Sequence, residues 1–353
     1  MPDRATPDLG LISEAEMRVP CSPLAPTLDF FVGRLGFRVE TIFPADDPHT
    51  ASLSGHGLRL RLAPGPGDPG AIRLACQRPG EALTAPNGTR IELVERDAPY
   101  VMPTFEPSFM VVRRDDGPGE GVGRAGMIYR DLIPGRLGGR YIASHISLPV
   151  GGPVADWVHF HKIRFQLIFC RRGWAKLVYE DQGPPFLMEA GDCVLQPPRI
   201  RHRVLESSPG FEVVEIGCPA LHETLADHDM TLPNGRLAPD RDFGGQDFLH
   251  HVAARAAWIS RDGFQRRDTG VAKATRGVAD VYVLKSAETG HLPAAVNADE
   301  LLFGFILEGS ADLESRGRHS LGQTDAFVIP PGETWALDAC SPGAEVLIVT
   351  SIA

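Results

Sequence analysis

Residues 157–173 read WVHFHKIRFQLIFCRRG, and residues 191–202 read GDCVLQPPRIRH. Side chains alternate across a strand, so His159 and His161 project from one face. Four residues separate His161 from Gln166, and six separate Gln166 from Gly173. In the second stretch five residues lie between Gly191 and Pro197, and four between Pro197 and His202. A lone His-x-His on a strand is usually two partly exposed histidines. A third histidine arriving in frame after a Gly…Pro turn makes a metal site the stronger reading.

The surroundings of these two stretches are β in character. From Met127 onward the chain alternates with period two, as in RYIASHISL, AKLVYED, FEVVEIG, VYVLK and EVLIV. Runs this short, divided by Gly or Pro, read as sandwich or barrel strands. They also repeat. RDLIPGRLGGRYIASHISLP begins at Arg130 and RDTGVAKATRGVADVYVLKS at Arg267; the stretch ending at Gly173 recurs ending at Gly309. GDCVLQPPRIRH, ending at His202, recurs as TDAFVIPPGETW, ending at Trp335. The offsets are 137, 136 and 133 residues. So constant an offset at three anchors means two copies of one β domain.

The spacing in the first copy resembles the two cupin motifs, HxHxxxx(E/Q)x6G and Gx5Px4H. The resemblance covers residues 127–218 well and 267–350 as a weaker echo. It implies a mainly β fold of two cupin barrels, double-stranded β-helices of jelly-roll type. It also makes His159, His161, Gln166 and His202 the ligands of one divalent transition metal: Fe, Mn, Ni, Co or Zn. Two residues depart from the pattern. Gln166 stands at the usual glutamate, and Arg199 at a usual glycine. With Gln166 all four ligands are neutral, so the ion keeps its full charge, which suits anionic or chelating oxygen substrates. In the second copy the matching positions are Ala295, Asn297, Leu302 and Trp335. Only Asn297 among them can ligate, so the second barrel is expected to hold no metal.

Residues 17–95 read differently. A strand signal at 17–19 precedes a helical period at Leu24, Leu28, Phe31 and Leu35, closed by Gly36. Strand-like runs follow at 37–43, 50–53 and 58–62. With LDFFVGRLGF (28–37), this βαβββ order resembles one module of the vicinal-oxygen-chelate (glyoxalase-like) superfamily, and PNGTRIELVE (86–95) resembles its closing strand. Residues 64–86 are mostly Pro, Gly and turn formers, so the second helix of such a domain is missing. Glu92 matches that family's metal carboxylate but has no histidine on the first strand, and His49 and His56 lie in turns. A degenerate small α+β module with a structural or dimerising role is expected.

The expected boundaries are 1–97 for this module, 98–126 for a linker and 127–220 for the metal-binding barrel. An inter-barrel connection (221–261) and the degenerate barrel (262–353) complete the chain. The linker's GPGEGVG lacks P-loop spacing and reads as a turn. In the connection, His222, His228, His250 and His251 match no metal template.

Candidate catalytic residues beside the ligands are His145, Tyr179 and Arg164. His145 shares a strand face with Tyr141 and Ser147; Tyr179 and Arg164 lie on or near strands that flank the ligands. Arg130 and Asp131 recur as Arg267 and Asp268 in a barrel without ligands, which marks them as structural.

Composition excludes several classes. A net charge of −10 argues against nucleic-acid binding, which needs basic patches. No apolar run approaches a membrane span, and the N-terminus has no apolar secretion core. Six scattered cysteines with no CxxC fit a reducing compartment, so a cytoplasmic protein is expected. Only four of the 35 basic residues are Lys, the bias of a GC-rich bacterial genome. The expected function is a metal-dependent enzyme on a small oxygen-rich acid, enol or carbonyl, of oxygenase or lyase/isomerase type. The alternative is a bicupin that binds or senses a small molecule through the same metal. A homodimer is the default state.

Overall fold

The computed structural model describes residues 10, 12–115, 121–261, 263–286 and 290–352. The chain divides between Pro99 and Tyr100 into two compact units. Part of the glycine-rich stretch 117–126 lies outside the described residues. No helix among them is long and apolar enough to cross a membrane.

In the first unit the helix Leu24–Asp29 runs into a wider π turn, Phe30–Arg34. It stops as expected at Gly36, whose φ is +73°. The Gly36 amide donates to Val32 and the Phe37 amide to Phe31, which closes the last turn. A four-stranded sheet runs Met17–Pro20, Leu58–Ala63, Thr50–Gly55, Arg38–Phe43, the first pair parallel. Phe31, Leu53, Leu60 and Leu62 are fully buried between helix and sheet. The stretch read as turns contains a strand, Ala71–Cys76, parallel to Arg90–Glu95. Its Ile72 and Leu74 join the core while the residues between face outward; flanking Pro and Gly had masked this alternation. Glu92 pairs with Arg90 at the surface.

The second unit contains two sheet pairs, and the repeat holds strand by strand. One seven-stranded sheet carries Cys193–Gln196, Phe165–Arg172, Phe211–Cys218, Ile142–Leu148 and Ile128–Asp131 in that order. The other carries Ala326–Val328, Leu301–Glu308, Glu345–Ser351, Ala279–Ser286 and Phe264–Asp268 in the same order. Phe165, Leu167 and Phe169 meet Phe303, Phe305 and Leu347 in one core, so the two large sheets pack back to back. The opposite face of each large sheet covers its own inner core, beneath a six-stranded sheet in the first half and a four-stranded sheet in the second. Gly173 and Gly309 turn at φ +74°; a Cβ there would meet Ser208 Oγ at 2.3 Å or Ser341 Oγ at 2.4 Å.

Residues 98–126 and 221–261 do more than link. Met110–Val112, which precedes the first half, adds an edge strand to the second half's large sheet. Leu249–His251, which precedes the second half, does the same for the first. The two are themselves a repeat, SFMVV at 108–112 and DFLHH at 247–251, 139 residues apart. Thr224–Ala226, from the same connection, pairs with His159–His161. Each half is therefore completed by a strand that sequence order assigns to the other, which local pattern does not reveal. Arg130 and Arg267 behave as structural residues: Arg130 donates across the seam to the Thr324 carbonyl, and Arg267 lies over Trp258 at 4.6 Å.

Candidate metal centre

His159 and His202 sit opposite each other on adjacent antiparallel strands, and His161 lies two residues along. All three are buried, at 1, 6 and 7% exposure for His159, His202 and His161. One ring nitrogen from each falls within 4.8 Å of the others, the one such group of three among the described residues. Each Nδ1 faces a main-chain carbonyl: His159 that of Trp157 at 2.8 Å, His161 that of Glu223 at 3.1 Å, His202 that of Ile200 at 3.0 Å. A carbonyl only accepts, so each Nδ1 carries the proton, which makes Nε2 the nitrogen of each ring that could ligate. The Glu223 carbonyl comes from the connection, which thus fixes the ring of a predicted ligand.

Gln166 lines the same cavity as the three histidines. On Phe165–Arg172 the odd positions fill the core between the large sheets, so Gln166 points inward with Ile168 and Cys170. Gln166 is 3% exposed and its Oε1 has no hydrogen-bond partner. An unsatisfied buried acceptor costs about 1–3 kcal/mol; a cation beside the three Nε2 atoms would supply what it lacks. The donor set, three imidazoles and an amide oxygen, fits a divalent metal. Arg199, at the motif's usual glycine, has φ +63°, and the second copy keeps Gly332 there at φ +78°. The left-handed backbone is thus real in both copies, and Arg199 tolerates it while its amide donates to the His161 carbonyl at 3.0 Å.

The cavity beside the cluster measures about 70 Å³. Its walls are largely apolar, with Ile146, Leu148, Ile168 and Val213 among them. Tyr179 lines it and is fully buried against Phe186, Phe248 and His202. Its hydroxyl accepts from Gln196 Nε2 at 2.8 Å, and burial pushes the phenol far above its usual range. The Tyr179 hydroxyl therefore stays protonated and can serve as a hydrogen-bond donor.

His145 and Arg164 are not in this cavity. Ile146 and Leu148 take the inner face of Ile142–Leu148, so His145 turns the other way, 3.0 Å from Glu212 Oε2 and against Phe305 of the second half. Parity rightly put His145 with Tyr141 and Ser147, but which face was inner was not readable from the strand alone. Arg164 precedes its strand and donates to the Ile352 carbonyl at 3.1 Å. Sequence reasoning missed Arg203, which also lines the cavity, and the carboxylate of Glu215. Its signal was present in FEVVEIG, where Phe211, Val213 and Glu215 share a face. His222 was also set aside; its ring lies 5.1 Å from that of His161, and burial lowers its pKa.

In the second half Ala295 faces Trp335 in the register where His159 faces His202. Trp335 and Leu302 are buried in the inner core, and Asn297 is held by the Ile329 carbonyl and the Asp299 amide.

No protein-family model matches the chain, and no curated protein matches it. Solved structures do. Oxalate decarboxylase from Bacillus subtilis has a TM-score of 0.54 at 10% identity, over 72% of this chain and 78% of its own. The formate complex of oxalate decarboxylase from Lactobacillus farciminis has a TM-score of 0.53 at 14% identity, over 72% of this chain and 89% of its own. The fold is cupin-like. At these identities the likeness speaks for the fold alone; the histidine cluster lies inside one of the two sheet pairs.

Proposed function

We propose that the chain is a metal-dependent cupin enzyme in which His159, His161, His202 and Gln166 hold one divalent metal. We read the two sheet pairs as two cupin barrels, the second without metal, and the first unit as a degenerate glyoxalase-like module. The observation that carries the metal site is the commitment of all three Nδ1 atoms to carbonyls around the orphaned Gln166 oxygen. Bound there, the metal would supply a Lewis acid of undiminished charge, because no ligand is anionic.

The chain's own groups narrow the substrate. A cavity of about 70 Å³ favours a small substrate. The largely apolar walls lower the local dielectric and strengthen electrostatic contacts inside. The Tyr179 hydroxyl donates a hydrogen bond to the bound substrate's oxygen, and Glu215 lines the same cavity as a carboxylate that would take a proton. A small carboxylate or enol fits these terms, with lyase or isomerase chemistry ahead of oxygenation. Oxalate, which the structural neighbours' names imply, is the first compound to assay.

The test is metal content by plasma mass spectrometry on untagged protein. About one metal per chain is expected in the wild type and close to none in His159→Ala or His202→Ala. A wild type that takes up no metal on anaerobic reconstitution would overturn the reading.

A further inference from the structure

A second cavity, about 410 Å³, opens where the two halves of the second unit meet. Four guanidinium groups line it, Arg114, Arg130, Arg171 and Arg172, against two carboxylates, Asp115 and Glu212. Glu212 is already engaged: it accepts from Arg171 and lies beside His145. The Arg171 side chain is only 9% exposed, and its Nε has no hydrogen-bond partner. The Ser147 hydroxyl faces the same space. Arg130 and Arg171 are buried or nearly so and already hold the Thr324 carbonyl and Glu212. Arg114 and Arg172 are exposed to solvent, and an anion between them would gain charge-assisted hydrogen bonds.

The internal repeat provides a control for whether docking the two halves requires this charge. At an offset of 136, Leu307 stands where Arg171 does and Glu308 where Arg172 does. The neighbouring cavity around Arg267, about 170 Å³, sets Arg171 and Arg267 against Glu308 and Glu345 and is balanced. A device needed only to join the halves recurs in both copies, as Arg130 and Arg267 do. Of these two cavities, only the larger has a positive excess among the described residues.

We propose that this cavity binds a small polyanion, a molecule with two or more carboxylate or phosphate groups, at a site separate from the histidine cluster. Guanidinium forks suit both oxyanions, and the volume lies within the roughly 300–1,000 Å³ of small-molecule pockets. The ligand bridges the halves, since Gln323 and Thr324 form the far wall. It also lies behind the metal centre. Ile142–Leu148 turns His145 and Ser147 to this cavity and Ile146 and Leu148 to the other; Phe211–Cys218 likewise divides Glu212 from Glu215. Occupancy therefore bears on two strands that wall the histidine cavity.

The test is isothermal titration of the full chain with pyrophosphate and with citrate at fixed ionic strength, acetate serving as the monovalent control. Saturable binding of about one polyanion per chain is expected, with none for acetate. Losing a hydrogen bond to a charged group costs about 1.5–3 kcal/mol, so Arg171→Leu and Arg172→Glu should each weaken binding by roughly 10-fold or more. Arg172 is exposed, so Arg172→Glu tests the site even if Arg171→Leu fails to fold. Binding in His159→Ala should be unchanged. Whichever of pyrophosphate and citrate binds more tightly assigns the ligand class. Absence of saturable binding, equal affinity in Arg172→Glu, or loss in His159→Ala would overturn the proposal.

Discussion

Tyr179 lies flat against His202, ring centroids 5.5 Å apart and planes within 23°. The stack holds an imidazole whose Nδ1 is already fixed by a carbonyl, and it presents the phenol to the cavity. Tyr179→Phe keeps the stack and strands the Gln196 amide. Metal content should be unchanged and stability lower by about 1–3 kcal/mol, read as a fall in Tm. Turnover should fall by roughly 10²-fold or more if the phenol is the donor; wild-type turnover would remove Tyr179 from the chemistry.

Gln166 sets the charge of the centre. Gln166→Glu places a carboxylate where the orphaned amide oxygen stands, so metal should be held more tightly and resist chelators longer. The same change lowers the charge left for an anionic substrate, so KM should rise. A competition series with a chelator, run beside steady-state kinetics, separates the two effects; parallel weakening of both would count against Gln166 as a ligand.

Glu212 carries a pH signature away from the metal. His145 and then Arg171 hold its carboxylate down to about 2, from an ordinary value of 4.5. A depressed acid adds stability that is full above pH 4.5 and lost as the pH falls toward 2. Glu212→Gln should be less stable near neutrality, because Arg171 loses its countercharge, and should converge with the wild type as the pH approaches 2. Urea midpoints across that range decide it; a constant difference at every pH would mean Glu212 acts by packing alone.

The exchanged edge strands are tethered alike in both halves. Asp325 accepts the amides of Arg114 and Gly322, and Asp192 those of Ala253 and Glu189. Asp325→Ala and Asp192→Ala should each cost roughly 1–3 kcal/mol by leaving amides unpaired. Hydrogen exchange should rise selectively at Met110–Val112 in the first variant and at Leu249–His251 in the second. Uniform exchange would show that the tethers are not local.

Much of this molecule was legible in its sequence because the deciding signals are local. Alternation fixed that His159 and His161 share a face. The offsets of 137, 136 and 133 paired the strands of the two halves, and Gly36 marked the end of the first helix. Those relations follow from bond geometry within a few residues, or from counting along the chain. What only the tertiary structure decided concerns which side of a strand another layer covers. His145 belonged with Ser147 by parity, yet the back-to-back packing of the two large sheets turned both toward the seam. The same packing turned Glu215 inward and drew the strands Met110–Val112 and Leu249–His251 to the far half. Burial is a property of neighbours distant in sequence, and no local pattern states which neighbour arrives.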